Sequence, residues 1–210
     1  MSFEGALFEA RAINAWRGDR HILRDVSFTV RPGEFLKVTG PNGVGKTTLL
    51  RVICGLMPAE TGDLYWRGQT IRGHRDEFNI ELGYLGHLNS LKADLTSREN
   101  LKFLAGLRSS LNPALIDATL DRVGILSRGD LPARSLSAGQ KRRLSLARLL
   151  LADAALWIMD EPVTNLDTAG IALVEELIVE HAGQGGMVIA AAHQRLLDDA
   201  ACLRRLELTP

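Results

Sequence analysis

The run GPNGVGKTT, residues 40–48, fits the pattern G-x-x-x-x-G-K-[ST], with Gly40, Gly45, Lys46 and Thr47 in the required places. Residues of these types at this spacing suit phosphate binding. Glycines let consecutive backbone N–H groups turn inward toward phosphate oxygens, and a helix opening there adds partial positive charge. Gly40, Pro41, Asn42, Gly43, Val44, Gly45, Lys46, Thr47 and Thr48 are therefore expected to hold a nucleotide. Lys46 is expected to reach the β and γ phosphates, and the Thr47 hydroxyl to ligate Mg²⁺. A second set of candidates ends the apolar run ALWIMDEP, with Asp160 as a further Mg²⁺ ligand and Glu161 as the general base that orients and deprotonates an attacking water. An acidic pair after a strand is ordinarily a solvated strand end. The phosphate loop upstream is what makes this one a candidate site.

Both sets need a sheet to place them. LFEARAINA (7–15), VSFTV (26–30) and EFLKVTG (34–40) read as strands, with a turn at RPGE. KTTLLRVICGL has helical apolar spacing, so a strand feeds the glycine loop and the loop opens a helix. AETGDLYWRGQTI reads as a turn followed by strands, and ELGYLG (81–86) as another strand. From about 95 to 152 the pattern is helical: TSRENLKFLAGL opens with a capping-box pair, Thr96 and Glu99, and NPALIDATLDRVGI and SAGQKRRLSLARLLLA follow. Strands return as ALWIMD (155–160) and GMVIAAAH (186–193) around the helical TAGIALVEELIVEHA, and CLRRLELT (202–209) closes the pattern. Alternating strands and helices predict an α/β layered domain with an inserted helical subdomain.

The chain has 210 residues, 46% of them hydrophobic, enough for one sizeable core. Lys plus Arg equals Asp plus Glu at 25 each, which argues against a general nucleic-acid or anionic-membrane binder. The basic run KRR (141–143) accordingly reads as a solvated helix face. The start, MSFEGALFEARA, carries no secretory pattern, and the apolar run MVIAAA is far short of a bilayer span, so any membrane work is expected of a partner. Cys54 and Cys202 read as reduced structural thiols.

LSAGQKRR (136–143) precedes the acidic strand end, and TNLD (164–167) and His193 follow it. In this order the motifs resemble the ATP-binding cassette ATPases over essentially the whole chain, with Ala138 where the usual signature LSGGQ has a glycine. The resemblance implies a single domain, 1–210, of the P-loop NTPase class. It would have a mainly parallel sheet core, an N-terminal antiparallel β-subdomain and a helical subdomain near 95–152. It also implies a head-to-tail homodimer in which Ser137 and the Gly139 N–H of one subunit close on the γ-phosphate held by the other. Asp167 would then couple the two sites, and His193 would contact the γ-phosphate. Family members often stack an aromatic side chain on adenine; Trp16 is the candidate here, and packing within the β-subdomain is its alternative role.

The same family usually has glutamine where counting back from LTSREN (95–100) places His87, and no glutamine stands between Gln69 and Gln140. A neutral imidazole can accept from water or ligate a metal while donating elsewhere, so His87 is a candidate for both catalysis and Mg²⁺ handling. A loop histidine remote from the nucleotide is the alternative. GYLGH followed by LTSREN, with LSAGQ and the CLRRLELT segment, is similar to the haem-exporter ATP-binding subunits of cytochrome c maturation. That implies a peripheral ATPase on the cytoplasmic face of the bacterial inner membrane. It would be bound to a multi-spanning CcmB-type subunit and work with CcmC and the haem chaperone CcmE. Hydrolysis would drive haem export or release of the loaded chaperone. The alternatives are the ATPase of another exporter, for lipid, lipoprotein or drug, and a soluble non-transport cassette protein.

Overall fold

A computed structural model describes residues 7–105 and 112–209. In chain order it contains β1 (Phe8–Arg17), β2 (Arg20–Val30), β3 (Phe35–Thr39), α1 (Lys46–Ile53), β4 (Thr61–Trp66), β5 (Gln69–Thr70), α2 (Arg75–Ile80) and β6 (Leu82–Leu85). Then come α3 (Ser97–Ala105), α4 (Pro113–Arg122), α5 (Ala138–Leu151), β7 (Leu156–Asp160), α6 (Thr168–Gly183), β8 (Met187–Ala191) and β9 (Leu203–Glu207). One sheet is antiparallel, in the order β2-β1-β4-β5, and the other is parallel, in the order β6-β7-β8-β3-β9. The fold is a mixed α/β arrangement of a parallel sheet core with an N-terminal antiparallel sheet, as expected.

β7 and β8 of the parallel sheet are buried on both faces and β3 nearly so, which is why these strands read as apolar runs, whereas the edge strand β9 is largely exposed. Leu36 and Val38 of β3, Leu156 and Ile158 of β7, and Met187 and Ile189 of β8 face one core, shared with α1 and the antiparallel sheet. Their alternates Phe35, Trp157, Met159, Val188 and Ala190 face a second core with the helices of the chain's later half. Cys54 packs against the first core and Cys202 against the second, and both are free thiols.

Two elements differ from expectation. β2 begins at Arg20 rather than near residue 26, because HILRD pairs with β1 (Trp16 with His21, Ala15 with Leu23) despite its polar pattern. Bulges at Ala12 (φ 47°) and Asp25 (φ 48°) absorb the irregular register, and the Ala12 N–H donates to Ser27 Oγ. The short helix α2 gives little periodicity to read; it is held by buried Phe78, whose ring lies 5.5 Å from Trp66 and 6.2 Å from Phe8. The helical start at Thr96 forms as read, with the Thr96 N–H donating to Glu99 Oε2 at 2.8 Å and the Glu99 N–H to Thr96 Oγ1 at 3.1 Å. Residues 106 and 107 of the expected helix lie outside the described residues.

Candidate active site

β6, β7, β8 and β3 are parallel neighbours, so their C-terminal ends emerge along one edge, where ligands of α/β sheets bind. The phosphate loop leaves β3 there, His87 follows β6, Asp160 ends β7 and His193 follows β8. An open cavity of about 510 Å³ at this edge is lined by Asn42, Gly43, Gly45, Lys46, Thr47, Thr48, His87, Glu161, Thr164, His193 and Gln194, with Arg17 and Ile22 from the antiparallel sheet. His87 therefore shares a cavity with the phosphate loop.

In the loop, Gly45 has φ 117° and caps α1; a Cβ there would fall 2.7 Å from the Ile22 side chain. Gly40 has φ 135°, and its Cβ would lie 2.4 Å from the Leu208 carbonyl oxygen. No acidic side chain stands in the first turn of α1, and Gly45 offers no capping oxygen, so the helix start is open to an anion. Lys46 Nζ donates to the Gly40 and Pro41 carbonyls at 2.7 and 3.0 Å. Burial pulls its ammonium below the usual lysine range, and Glu161 and Asp160 oppose that shift.

Asp160 is buried and accepts from the Thr47 hydroxyl at 3.2 Å through Oδ1. Its Oδ2 is buried without a hydrogen-bond partner. A carboxylate with one orphaned buried oxygen beside a hydroxyl fits a divalent cation, and the pair Thr47 and Asp160 would hold it. When bound, such an ion neutralises charge on the β and γ phosphates.

Glu161 has φ 49°, a left-handed conformation that costs a side-chain-bearing residue about 1–3 kcal/mol. Its N–H donates to the Ala191 carbonyl at 2.9 Å. The turn carries the carboxylate toward His193, whose Nε2 lies 3.4 Å from Oε1 and whose N–H donates to Oε2 at 3.4 Å.

Ser137 caps α5, accepting from the Gln140 N–H, while Gln140 Oε1 accepts from the Ser137 N–H. Ser137 is exposed, and neither it nor Gly139 lines the cavity of its own chain. A Cβ on Gly139 would lie 2.9 Å from the Asn165 carbonyl oxygen. Asp167 caps α6, and the Gly170 N–H and the Arg143 guanidinium hold its carboxyl below the usual range. Trp16 is half-exposed and lies parallel to His21, ring centroids 4.3 Å apart; its neighbour Arg17, not Trp16 itself, lines the cavity.

The reading of KRR as a solvated face is corrected. Arg142 is 2% exposed, and Lys141 and Arg143 are half-buried. The acceptors that draw the Arg142 guanidinium inward are backbone carbonyls at the ends of β6 and β7. Sequence reasoning also missed Arg17, Ile22, Thr164 and Gln194 in the cavity wall. Thr164 and Gln194 adjoin motifs already read, whereas Arg17 and Ile22 arrive through the pairing of β1 with β2 and carry no local signal.

The family model described as ABC transporter matches residues 23–164. Over 202 residues the chain is 42% identical to the cytochrome c biogenesis ATP-binding export protein CcmA of Aliivibrio fischeri, covering 96% of this chain and 99% of that one. It is 45% identical to the protein of the same name from Salmonella typhi, with 97% of each chain covered. The chain belongs to the ABC transporter family, with the CcmA proteins. As an ABC transporter subunit of this kind it is an ATPase, and ATP is its nucleotide. A solved ATP-binding subunit of an ABC transporter superposes with a TM-score of 0.80 at 25% identity, covering 89% of this chain and 80% of that one. The ABC match spans the phosphate loop, His87, the signature residues and the acidic strand end.

Proposed function

We propose that this ABC ATPase is the ATP-hydrolysing subunit of a bacterial inner-membrane complex that serves c-type cytochrome biogenesis, by haem export or by release of a haem-loaded chaperone. The observation that carries the reading is its 42–45% identity, over nearly the full length, to relatives named cytochrome c biogenesis ATP-binding export proteins. The chain acts as one domain, 1–210, with the helices between β6 and β7 as its helical subdomain. Its partners are a second copy of itself, a multi-spanning CcmB-type subunit, CcmC and the chaperone CcmE, with no nucleic acid. It sits peripherally on the cytoplasmic face of the membrane. Among the described residues, no helix is long and apolar enough to cross a bilayer.

In the catalytic cycle Lys46 leaves the Gly40 and Pro41 carbonyls for the β and γ phosphates, which are stronger acceptors for an ammonium. The backbone N–H groups of the run 40–48, which Pro41 lacks, wrap the phosphates, and Thr47 and Asp160 would hold Mg²⁺. Glu161 takes the proton of the attacking water, His193 donates to the γ-phosphate, and His87 orients the water or completes the metal's surroundings. The exposed face of Trp16 stacks on adenine. Ser137 and Gly139 do not line their own chain's cavity, which supports a head-to-tail dimer in which they close the partner's site and Asp167 links the two sites.

The test is purification of the affinity-tagged chain from membranes and identification of what comes with it. CcmB-, CcmC- and CcmE-type chains are expected. Recovery of a different multi-spanning exporter instead would replace the assigned cargo while leaving the ATPase intact.

A further inference from the structure

One guanidinium connects the two loops on either side of the proposed water site. Arg142 Nη2 donates to the carbonyl oxygens of Asp160 at 2.9 Å and Glu161 at 2.7 Å, and Nε donates to that of Pro162 at 3.0 Å. Nη1 crosses to the loop after β6, reaching the Gly86 carbonyl at 2.7 Å and Asn89 Oδ1 at 3.5 Å. Further along the same face of α5, Ser145 Oγ and Arg148 Nη1 each donate to the Asn89 carbonyl at 3.1 Å. His87 thus lies between two anchored residues, Gly86 and Asn89.

Glu161 is anchored on both sides as well. Its N–H is bonded to Ala191 and its carbonyl to Arg142, across a residue held at φ 49°. The hydrogen bonds of Arg142 go to neutral oxygens, four of them on the backbone, so the group reads where two loops stand. Burial pulls its pKa down to about 10, which leaves it charged at neutral pH. Its planar fork spans both loops at once, which a single ammonium point cannot do.

We infer that Arg142 is a positioning residue for hydrolysis, holding the backbones of Glu161 and His87 in one frame around the γ-phosphate. The inference rests on the reading of Glu161 as the general base. Arg142 touches no reacting atom; it acts through the residues it holds.

The test measures kcat and KM for ATP, and ATP affinity, in the complex purified with its membrane partners. The variants are Arg142→Gln, Arg142→Lys, Glu161→Gln and the double variant Glu161→Gln with Arg142→Gln. Arg142→Gln is expected to lower kcat about tenfold or more while KM and ATP affinity stay within about twofold, since misplacement affects the reaction rather than binding. Arg142→Lys should recover part of the loss. In the Glu161→Gln background the Arg142 change should add less than about twofold, because the group it positions is already gone.

Wild-type kcat in the folded Arg142→Gln complex, a KM rise that accounts for the loss, or fully multiplicative losses in the double variant would each overturn the inference. If Arg142→Gln fails to fold, Arg142→Lys decides alone: reduced kcat at unchanged KM supports it and wild-type kcat refutes it. Wild-type turnover by Glu161→Gln removes the base assignment and this inference with it. An inactive Glu161→Gln beside fully active Arg142 variants removes only the inference.

Discussion

His193 Nε2 stands 3.4 Å from Glu161 Oε1, and the His193 N–H donates to the second carboxylate oxygen at the same distance. Two side chains that leave neighbouring parallel strands thus meet across the cavity that holds the phosphate loop. A carboxylate held this way in the cavity can take a proton from water. Glu161→Gln keeps the shape and removes the basic oxygen. Phosphate release should fall on the order of a hundredfold or more, with ATP still bound and the dimer stabilised. Normal turnover by this variant would mean that another group is the base.

Ser137 does not line its own chain's cavity, and a composite site shared by two chains predicts complementation. Lys46→Ala chains should lose nucleotide binding, and Ser137→Arg chains should bind ATP without turning it over. Mixed one to one, the two inactive chains should recover roughly a quarter of wild-type activity, because half of the dimers carry one intact composite site. A mixture as inactive as its components would argue that each chain completes its own site.

His87 shares its cavity with Lys46, Glu161 and His193, all of which can carry charge. A neutral imidazole and an amide can each accept from a water through one atom while donating through another. At neutral pH His87→Ala should therefore lower kcat of the complex about tenfold or more, while His87→Gln keeps most of it. Wild-type kcat in His87→Ala would remove His87 from the chemistry.

His181 gives a pH dependence of stability unconnected with the site. It is buried against Trp157, ring centroids 3.9 Å apart, and burial lowers its pKa from 6.5 to about 4. Between those values the unfolded chain binds the proton and the folded chain does not. This contribution is therefore complete above pH 6.5 and is lost as pH falls toward 4. At most about 3 kcal/mol is involved. His181→Phe, which keeps the stacking but cannot titrate, should narrow the difference in unfolding free energy between pH 7.5 and 5 measured in denaturant. An unchanged difference would assign the acid sensitivity to other groups.

The site was legible wherever its chemistry lies in consecutive residues. The phosphate loop, the pair Asp160 and Glu161, and the capping pair of Thr96 and Glu99 each satisfy their geometry over a few positions. Arg142 was misread because charge in sequence ordinarily means solvent, and nothing local shows that carbonyls of two distant loops converge on it. The early start of β2 was hidden for the same reason, since its polar residues are held by a partner strand.

The sequence by itself determined the nucleotide chemistry and the alternation of strands and helices. These follow from short-range requirements: φ freedom at glycine, apolar periodicity, and a lysine one step beyond the loop. The tertiary structure alone decided that His87 reaches the cavity of the phosphate loop, that Glu161 faces His193, and that Ser137 does not line that cavity. Each depends on the strand order β6-β7-β8-β3, which gathers the ends of strands far apart in the chain along one edge. That order is a property of how two apolar cores close on a shared sheet, and no single stretch of residues encodes it.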